Sequence, residues 1–417
     1  MRNVWVVILI MSLLFSCSGS DGSDRVDAEV LTDSVPLADT LKEDSVKHAV
    51  FMAVGDIMVH RWQMQKAFDK KDSSFNFSSS FKYVKPFFDE ADFVLGNLET
   101  TFAGKNKGRQ NKVFGYSCFP YFNAPEEMAT ALKEAGFDLL STANNHSLDS
   151  KFEGLCSTLN VLDSVGLHHL GTYRSQAEND SVRIFDINGI KTGFLACTYS
   201  LNGNTLKSEV AFSIDEFRRY DKGKLERLCG KIRRLKEAGA EFVIVLTHFG
   251  TEYQHEPNAE QKMVARMFAE AGADVIVGSH PHILQRIDYD SVTVDGKVKK
   301  VLVAYSLGNF ISSQVQRGSL LKDVGAVMRF SVRKDSCGVV LDGLKVLPTY
   351  SYWKYKEIGV VPLIAACNRP EDFRFLRKKS LMCIKTSYKQ TFDVLSASFK
   401  NRCEVDSVAG WMELRLE

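Results

Sequence analysis

Hydrophobic residues along this chain fall into two alternating periods. Short, nearly continuous apolar runs at 50–54, 93–96, 138–141, 242–247 and 275–278 have the length and β-branched character of buried strands. Between them, 126–135, 152–165, 214–238 and 259–271 carry apolar residues at helical spacing. Strands alternating with helices predict a layered α/β fold whose sheet is covered on both faces. Two hairpins interrupt the alternation. One turns at Asn188-Gly189 between 182–187 and 191–197, the other at Asp295-Gly296 ahead of 301–305, both with dipeptides that type I′ turns favour. The sheet is therefore expected to be mixed. Beyond 325–332 and 338–347 the pattern weakens, and 351–417, partly helical from Pro370, reads as a small C-terminal appendage packed on the core.

The first residues follow a different logic. Arg2, an apolar run over 4–15 and small residues around a cysteine have the anatomy of a secretory signal, and the run is short for a membrane span. Leu14-Phe15-Ser16-Cys17 looks like a lipobox, in which Cys17 becomes lipidated and forms the mature N-terminus. Residues 1–17 are thus expected to be a lipoprotein signal peptide, with an ordinary cleaved signal or an uncleaved anchor as the alternatives, and the chain to be held at a membrane of the cell envelope through its N-terminal lipid. The next segment, 18–48, is rich in Ser, Asp, Glu and Thr and poor in aromatics, so it cannot bury enough surface to fold and reads as a disordered acidic tether. Ordered structure is expected from Ala49.

Composition narrows the function classes. With 417 residues, 45% of them hydrophobic, the chain can bury a large core. Its 53 basic and 51 acidic residues leave a net charge of +2, which gives no field for nucleic acid, so no nucleic-acid partner is expected. None of the nine cysteines forms a CxxC pair, and most sit singly in apolar stretches, as Cys156 and Cys197 do. They read mostly as buried thiols with at most one or two bridges, not as zinc ligands.

The chemistry sits where the strand candidates end. Their ends give Gly55-Asp56, Gly96-Asn97-Leu98-Glu99, Ala143-Asn144-Asn145-His146, His248-Phe249-Gly250 and His280-Pro281-His282. Each fragment alone has an ordinary reading: a turn at Gly55-Asp56, a capping loop at Asn144-Asn145-His146, a structural histidine at His248. Ligand sites of α/β sheets, however, lie at the carboxyl ends of strands, and here five successive ends offer carboxylates, amide oxygens and imidazoles. That donor set suits zinc, manganese or iron.

Taken in order over about residues 50–350, these motifs resemble the bacterial capsule-synthesis protein family of CapA type. They continue through Asp149, Glu252-Tyr253, Gln285 and Ser306-Leu307-Gly308-Asn309-Phe310. That family is associated with poly-γ-glutamate capsules and belongs to the metallo-dependent, calcineurin-like phosphatase superfamily. The resemblance implies a layered mixed-sheet fold, a four-layer α/β/β/α sandwich, over 49–350. It also implies a divalent transition metal cofactor, one or two ions of manganese, zinc or iron. Asp56 and His282 would bind a first ion, Glu99 would bridge, and Asn145, His248 and His280 would complete the second. His146 would act on the leaving group, and Glu252 and Asn309 would line the substrate pocket.

One departure bears on the first ion. The superfamily places a histidine two residues after the first aspartate, and this chain has Met58 there. His60 is the nearest imidazole, though it also suits a capping role at the next helix. The resemblance implies an exported hydrolase in which a metal-activated water attacks a phosphoester or a γ-glutamyl amide of an anionic polymer, with capsule-assembly proteins as partners. Arg286 and Arg317 are candidate contacts for such a polyanion. The rival class is a non-catalytic, lipid-anchored assembly or binding factor that keeps the fold.

Overall fold

The computed structural model of the chain describes residues 46–110, 112–294, 296–314, 321–352, 358–376, 378–399 and 401–416. The expected signal segment, Cys17 and the tether as far as residue 45 lie outside the described residues, as do Asp295 and Arg317. Among the described residues no helix is long and apolar enough to cross a membrane.

The chain builds half of one sheet, then a second sheet, then returns to the first. β1 (Lys47–Ile57) leads through α1 (Arg61–Ala67) and α2 (Lys85–Phe88) to β2 (Phe93–Leu98). A small hairpin, β3 (Lys112–Val113) and β4 (Tyr116–Ser117), precedes α3 (Glu127–Ala135), β5 (Leu139–Ser141), α4 (Lys151–Ser164), β6 (His168–Leu170) and α5 (Gln176–Asp180). β7 (Ile184–Ile187), β8 (Ile190–Thr198), α6 (Lys222–Glu237), β9 (Phe242–His248), α7 (Ala259–Ala271), β10 (Val275–Ser279), β11 (Ile287–Val294) and β12 (Lys297–Ala304) make the second sheet and its helices. β13 (Asn309–Ile311), β14 (Val324–Asp335), β15 (Gly338–Tyr352) and β16 (Gly359–Pro362) rejoin the first, followed by α8 (Leu363–Asn368), α9 (Lys378–Ser396), β17 (Cys403–Val405) and β18 (Met412–Leu414).

The ten-stranded sheet runs β17-β18-β15-β14-β1-β2-β5-β6, with β13 beside β1 and β16 beside β15; the six-stranded sheet runs β11-β12-β10-β9-β8-β7. In the first, β1, β2, β5 and β6 are parallel, while β14 and β15 are antiparallel. In the second, β8, β9, β10 and β12 are parallel. The expected mixed sheet is thus two mixed sheets.

Three buried clusters explain why the strands read as unbroken apolar runs. Phe51 and Ala53 of β1 face Phe194, Phe242, Ile244 and Val277 of the second sheet, forming the core between the sheets. Met52 and Val54, the alternate positions, face Met64, Phe88, Met128 and Leu132 on the helices outside. Val243, Val245 and Ile276 pack outward on Leu228 and Ile232 of α6 and Phe268 of α7. The layers are therefore helix, sheet, sheet and helix, with both faces of each central strand buried. Phe51 anchors the middle: its ring stacks on Phe330 at 5.2 Å and on Phe242 at 6.3 Å between centroids.

The helix expected over 214–238 starts later. Asp221 caps it by accepting a hydrogen bond from the Lys224 N–H at 2.9 Å, and Ile214 and Glu216 instead form β-bridges to Thr172 and Thr198. Ile214, in extended chain, and Phe217, just before a short turn, are buried outside the helix, so their apolar character mimics helical periodicity. The segment expected as an appendage is woven into the first sheet, since β16 and β18 pair with β15, and apolar residues of α8 and α9, including Leu363 and Ile384, enter the inter-sheet core. β1 begins at Lys47, two residues before the expected start. All eight described cysteines are free thiols, with Cys118, Cys197 and Cys229 buried.

Candidate metal centre

Two close backbone approaches bring the sheets together at one edge. A Cβ on Gly55 would lie 1.9 Å from the Gly308 carbonyl oxygen, and one on Gly278 would lie 2.0 Å from that of Tyr305. Only glycine fits at either place. The segment between β12 and β13 therefore lies directly against the ends of β10 and β1, and Asp56 N–H donates to Gly308 O at 2.9 Å. His280 and His282 follow β10 with φ of +101° and +60°, a conformation that non-glycine residues rarely adopt and that turns both imidazoles inward around Pro281.

The side chains gathered there are almost wholly removed from solvent: Asp56, Glu99, Asn145, His248, His280 and His282 are all buried. Donor atoms of Asp56, Glu99 and His282 lie within 4.8 Å of one another, and so do those of Glu99, His248 and His280. Glu99 is common to both groups. Its Oε1 has no hydrogen-bond partner, yet it sits 3.7 Å from Nε2 of His248, 3.7 Å from Nε2 of His282 and 3.9 Å from Nε2 of His146. Asn145 Oδ1 approaches His248 Nε2 at 3.1 Å, and His280 Nδ1 approaches the same atom at 3.1 Å. A buried carboxylate oxygen without a partner is costly, and lone-pair atoms facing one another at about 3 Å repel unless a proton or a cation lies between them. The donor set fits one or two divalent cations, with Glu99 between them.

Electrostatics point the same way. Burial, then the neighbouring Asp56 carboxylate, push Glu99 well above the usual carboxylate range. For Asp56 burial acts upward too, but the hydrogen bond and charge of His282 outweigh it and hold the carboxyl below its ordinary value. Burial, followed by the neighbouring imidazoles, holds His248 well below the usual histidine value and brings His280 down to about 3. Neutral imidazoles beside a carboxylate that lacks a countercharge are what a divalent cation requires of its ligands.

The surrounding side chains fix this arrangement. Asn97 donates to Asp56 Oδ1 at 2.8 Å and lies 3.3 Å from His248 Nδ1, which also meets Ser279 Oγ at 3.0 Å. Asn144 donates to the Leu98 carbonyl at 2.7 Å and accepts from the His146 N–H at 3.1 Å, tying the loop after β5 to β2. His146 Nδ1 pairs with Asp149 Oδ2 at 2.7 Å, which directs Nε2 toward the cluster. Asp149 thus orients His146, and it also accepts from the Phe122 N–H at 2.6 Å.

The remaining sequence candidates fall outside the donor groups. Asn309 is fully buried; its Oδ1 lies 3.1 Å from His282 Nδ1 and its amide donates to the His282 carbonyl, so it braces that histidine from behind. Glu252 is exposed, yet close enough for its charge to act on Glu99. Met58 is buried, with Gln314 Nε2 3.7 Å from its sulfur. His60 sits at the start of α1, where its N–H donates to Gln63 Oε1 at 2.6 Å and its ring meets Phe122 edge-on. Burial lowers it to about 3, and it belongs to neither donor group. Gln285 is held by Gln261 and by the Gln254 carbonyl, and Arg286 pairs with Asp288 and Glu256.

Two site residues escaped the sequence reading. Tyr199 places its hydroxyl 2.8 Å from His280 Nε2, and Asn202 contacts Asn145 at 3.2 Å and His146 Nε2 at 3.5 Å. Both follow β8, which runs parallel to β9 with Thr198 beside His248. The strand-end rule applied to 191–197 would have found them. In the sequence, that strand reads only as a hairpin arm.

Two adjoining donor groups at the carboxyl ends of parallel strands, set between two sheets flanked by helices, define a layered α/β protein equipped to bind divalent metal. The family is plain from sequence comparison: residues 50–314 match the model described as Bacterial capsule synthesis protein PGA_cap, and the chain belongs to that family. It is 27% identical over 326 residues to "Capsule biosynthesis protein CapA" of Bacillus anthracis, covering 78% of this chain and 72% of that one. It is 30% identical over 298 residues to "PGA biosynthesis protein CapA" of Bacillus subtilis (strain 168), covering 71% and 70%. Among solved structures, the calcineurin-like phosphoesterase YfkN from Bacillus subtilis is similar at 15% identity and a TM-score of 0.39, over 73% of this chain and 90% of that one.

Proposed function

We propose that this protein is an exported, metal-dependent hydrolase of the cell envelope, acting in capsule, poly-γ-glutamate or related polymer metabolism on a phosphoester or γ-glutamyl amide. The observation that carries the proposal is the unpartnered Glu99 Oε1, buried and faced by three imidazole nitrogens at 3.7–3.9 Å. In this reading Asp56, Glu99 and His282 would hold one divalent ion, and Glu99, Asn145, His248 and His280 would hold a second. Manganese, zinc or iron bound there would supply the charge that makes water nucleophilic near neutral pH and offsets negative charge developing on the substrate.

The chain's own residues supply the proton chemistry. His146, with Nδ1 held by Asp149, presents Nε2 to the reacting group and donates a proton to the leaving oxygen or nitrogen, while the Asp149 carboxylate stabilises the imidazolium form. Asn202 bounds the same space. The extended anionic polymer would enter past Glu252 and Tyr253, and Cys17 would carry the lipid that holds the protein at the membrane, beside capsule-assembly proteins.

The test is hydrolysis of a chromogenic phosphodiester and of a γ-glutamyl polymer by manganese-loaded protein, set against His248→Ala and Asn145→Ala. The proposal expects one substrate class to be turned over and both variants to lose metal and turnover. Full activity in either variant overturns the site assignment. The alternative, a non-catalytic assembly factor, draws support from Met58, which puts a buried thioether where the resemblance implies an imidazole. Metal binding without turnover of either substrate would favour it.

A further inference from the structure

Resting on the metal-site reading above, we propose that Tyr199 is a positioning residue that fixes His280 as a ligand through Nδ1, by holding the opposite ring nitrogen.

The two nitrogens of His280 face different surroundings. Nδ1 points into the cluster, 3.1 Å from His248 Nε2, itself 3.1 Å from Asn145 Oδ1 and 3.7 Å from Glu99 Oε1. Nε2 points away, to the Tyr199 hydroxyl at 2.8 Å, and the phenol and imidazole rings pack at 4.8 Å between centroids. A neutral imidazole carries one ring proton. With a cation on Nδ1 that proton must lie on Nε2, where the Tyr199 oxygen accepts it. Without a cation, a proton on Nδ1 can fill the gap to His248, and the Tyr199 hydroxyl then donates to Nε2. A phenol can do either because it is both donor and acceptor, so Tyr199 supports the tautomer that the loaded site needs.

Tyr199 is itself held in place. Its N–H donates to the His248 carbonyl at 2.9 Å, and its ring stacks on Tyr220 at 6.1 Å, at the end of a short segment where Arg219 and Tyr220 both have positive φ. The neighbouring Thr198 N–H donates to the Asp215 carbonyl, and Asp215 is fully buried with Lys231 and Tyr173 on its carboxylate. The hydroxyl is therefore presented from a braced loop. Histidine ligands are commonly oriented through their second nitrogen, and losing that partner lowers metal affinity by about 10- to 100-fold.

The test compares wild type and Tyr199→Phe, which keeps the ring and its packing. Zinc affinity is measured by competition with a chromophoric chelator, and the His280 tautomer is read by nitrogen-15 NMR of histidine-labelled, zinc-loaded protein. The expected result is a proton on His280 Nε2 in the wild type and zinc affinity weaker by about 10-fold or more in the variant, with unchanged circular dichroism. Unchanged affinity in Tyr199→Phe, or a wild-type His280 protonated on Nδ1 when zinc is bound, overturns the proposal while leaving the metal site standing. Absence of zinc binding by the wild type overturns the metal-site reading and this proposal together.

Discussion

Replacing Glu99 with glutamine separates the architectural role of this residue from its proposed ligand role. In the metal-free protein, burial and then the Asp56 charge push the carboxyl well above its ordinary range, which favours the neutral acid. Glutamine has nearly the same shape as that protonated acid, and a swap that preserves hydrogen-bonding capacity should change metal-free stability by less than about 1 kcal/mol. The cation-loaded protein is affected differently, because the anionic oxygen shared by the two donor groups is lost. A ligand at 100 times its Kd stabilises the native state by about 2.7 kcal/mol. With an unfolding entropy of about 2.1 cal/mol/K per residue, a chain of this length gains roughly 1.3 °C per kcal/mol, so Tm rises by about 3 to 4 °C. Differential scanning calorimetry with and without manganese should therefore show a rise of about 3 to 4 °C for the wild type and under about 1 °C for Glu99→Gln, from similar metal-free starting points. An equal rise in both proteins would refute the reasoning, and a collapse of the metal-free variant would mean that Glu99 is chiefly a structural acid.

Other outcomes follow from the same geometry. Asp149→Asn keeps the shape of the side chain but removes the charge that steadies His146, so kcat should fall by about 10²- to 10⁴-fold with metal content unchanged; metal analysis beside steady-state kinetics would expose a different cause if both fell together. Gly278→Ala forces a Cβ to within 2.0 Å of the Tyr305 carbonyl oxygen, with backbone on both sides, and should cost more than about 4 kcal/mol; a wild-type melting temperature would contradict the close approach. Cys17→Ser should move the protein from the membrane to the soluble fraction on fractionation, and a variant still bound to membrane would argue against the lipid anchor.

How much of this was legible beforehand differs by region. The central strands could be read because each is buried on both faces, which leaves an apolar run such as Phe242–His248 with polar residues, Thr247 and His248, only at its end. The donor residues could be read because the site gathers those ends. Tyr199 and Asn202 were obscured because β8 pairs antiparallel with β7 on one side and parallel with β9 on the other, and only the first pairing leaves a turn signature in sequence. Ile214 and Phe217 imitate helical periodicity from outside the helix, and the true start is set by the Asp221 cap. The closing strands β16–β18 have three or four residues each, too few to show a period, and their sheet pairing comes from tertiary contact with β15.

Glu99 is common to both groups of buried donors, which we read as one divalent-metal centre. Metal content per chain in purified protein, measured by inductively coupled plasma mass spectrometry after loading with manganese or zinc and removal of excess ion, tests this most directly. One to two tightly held ions per wild-type chain and near-zero retention in Glu99→Gln are expected. Near-zero retention in the wild type, or equal retention in both, would contradict this reading.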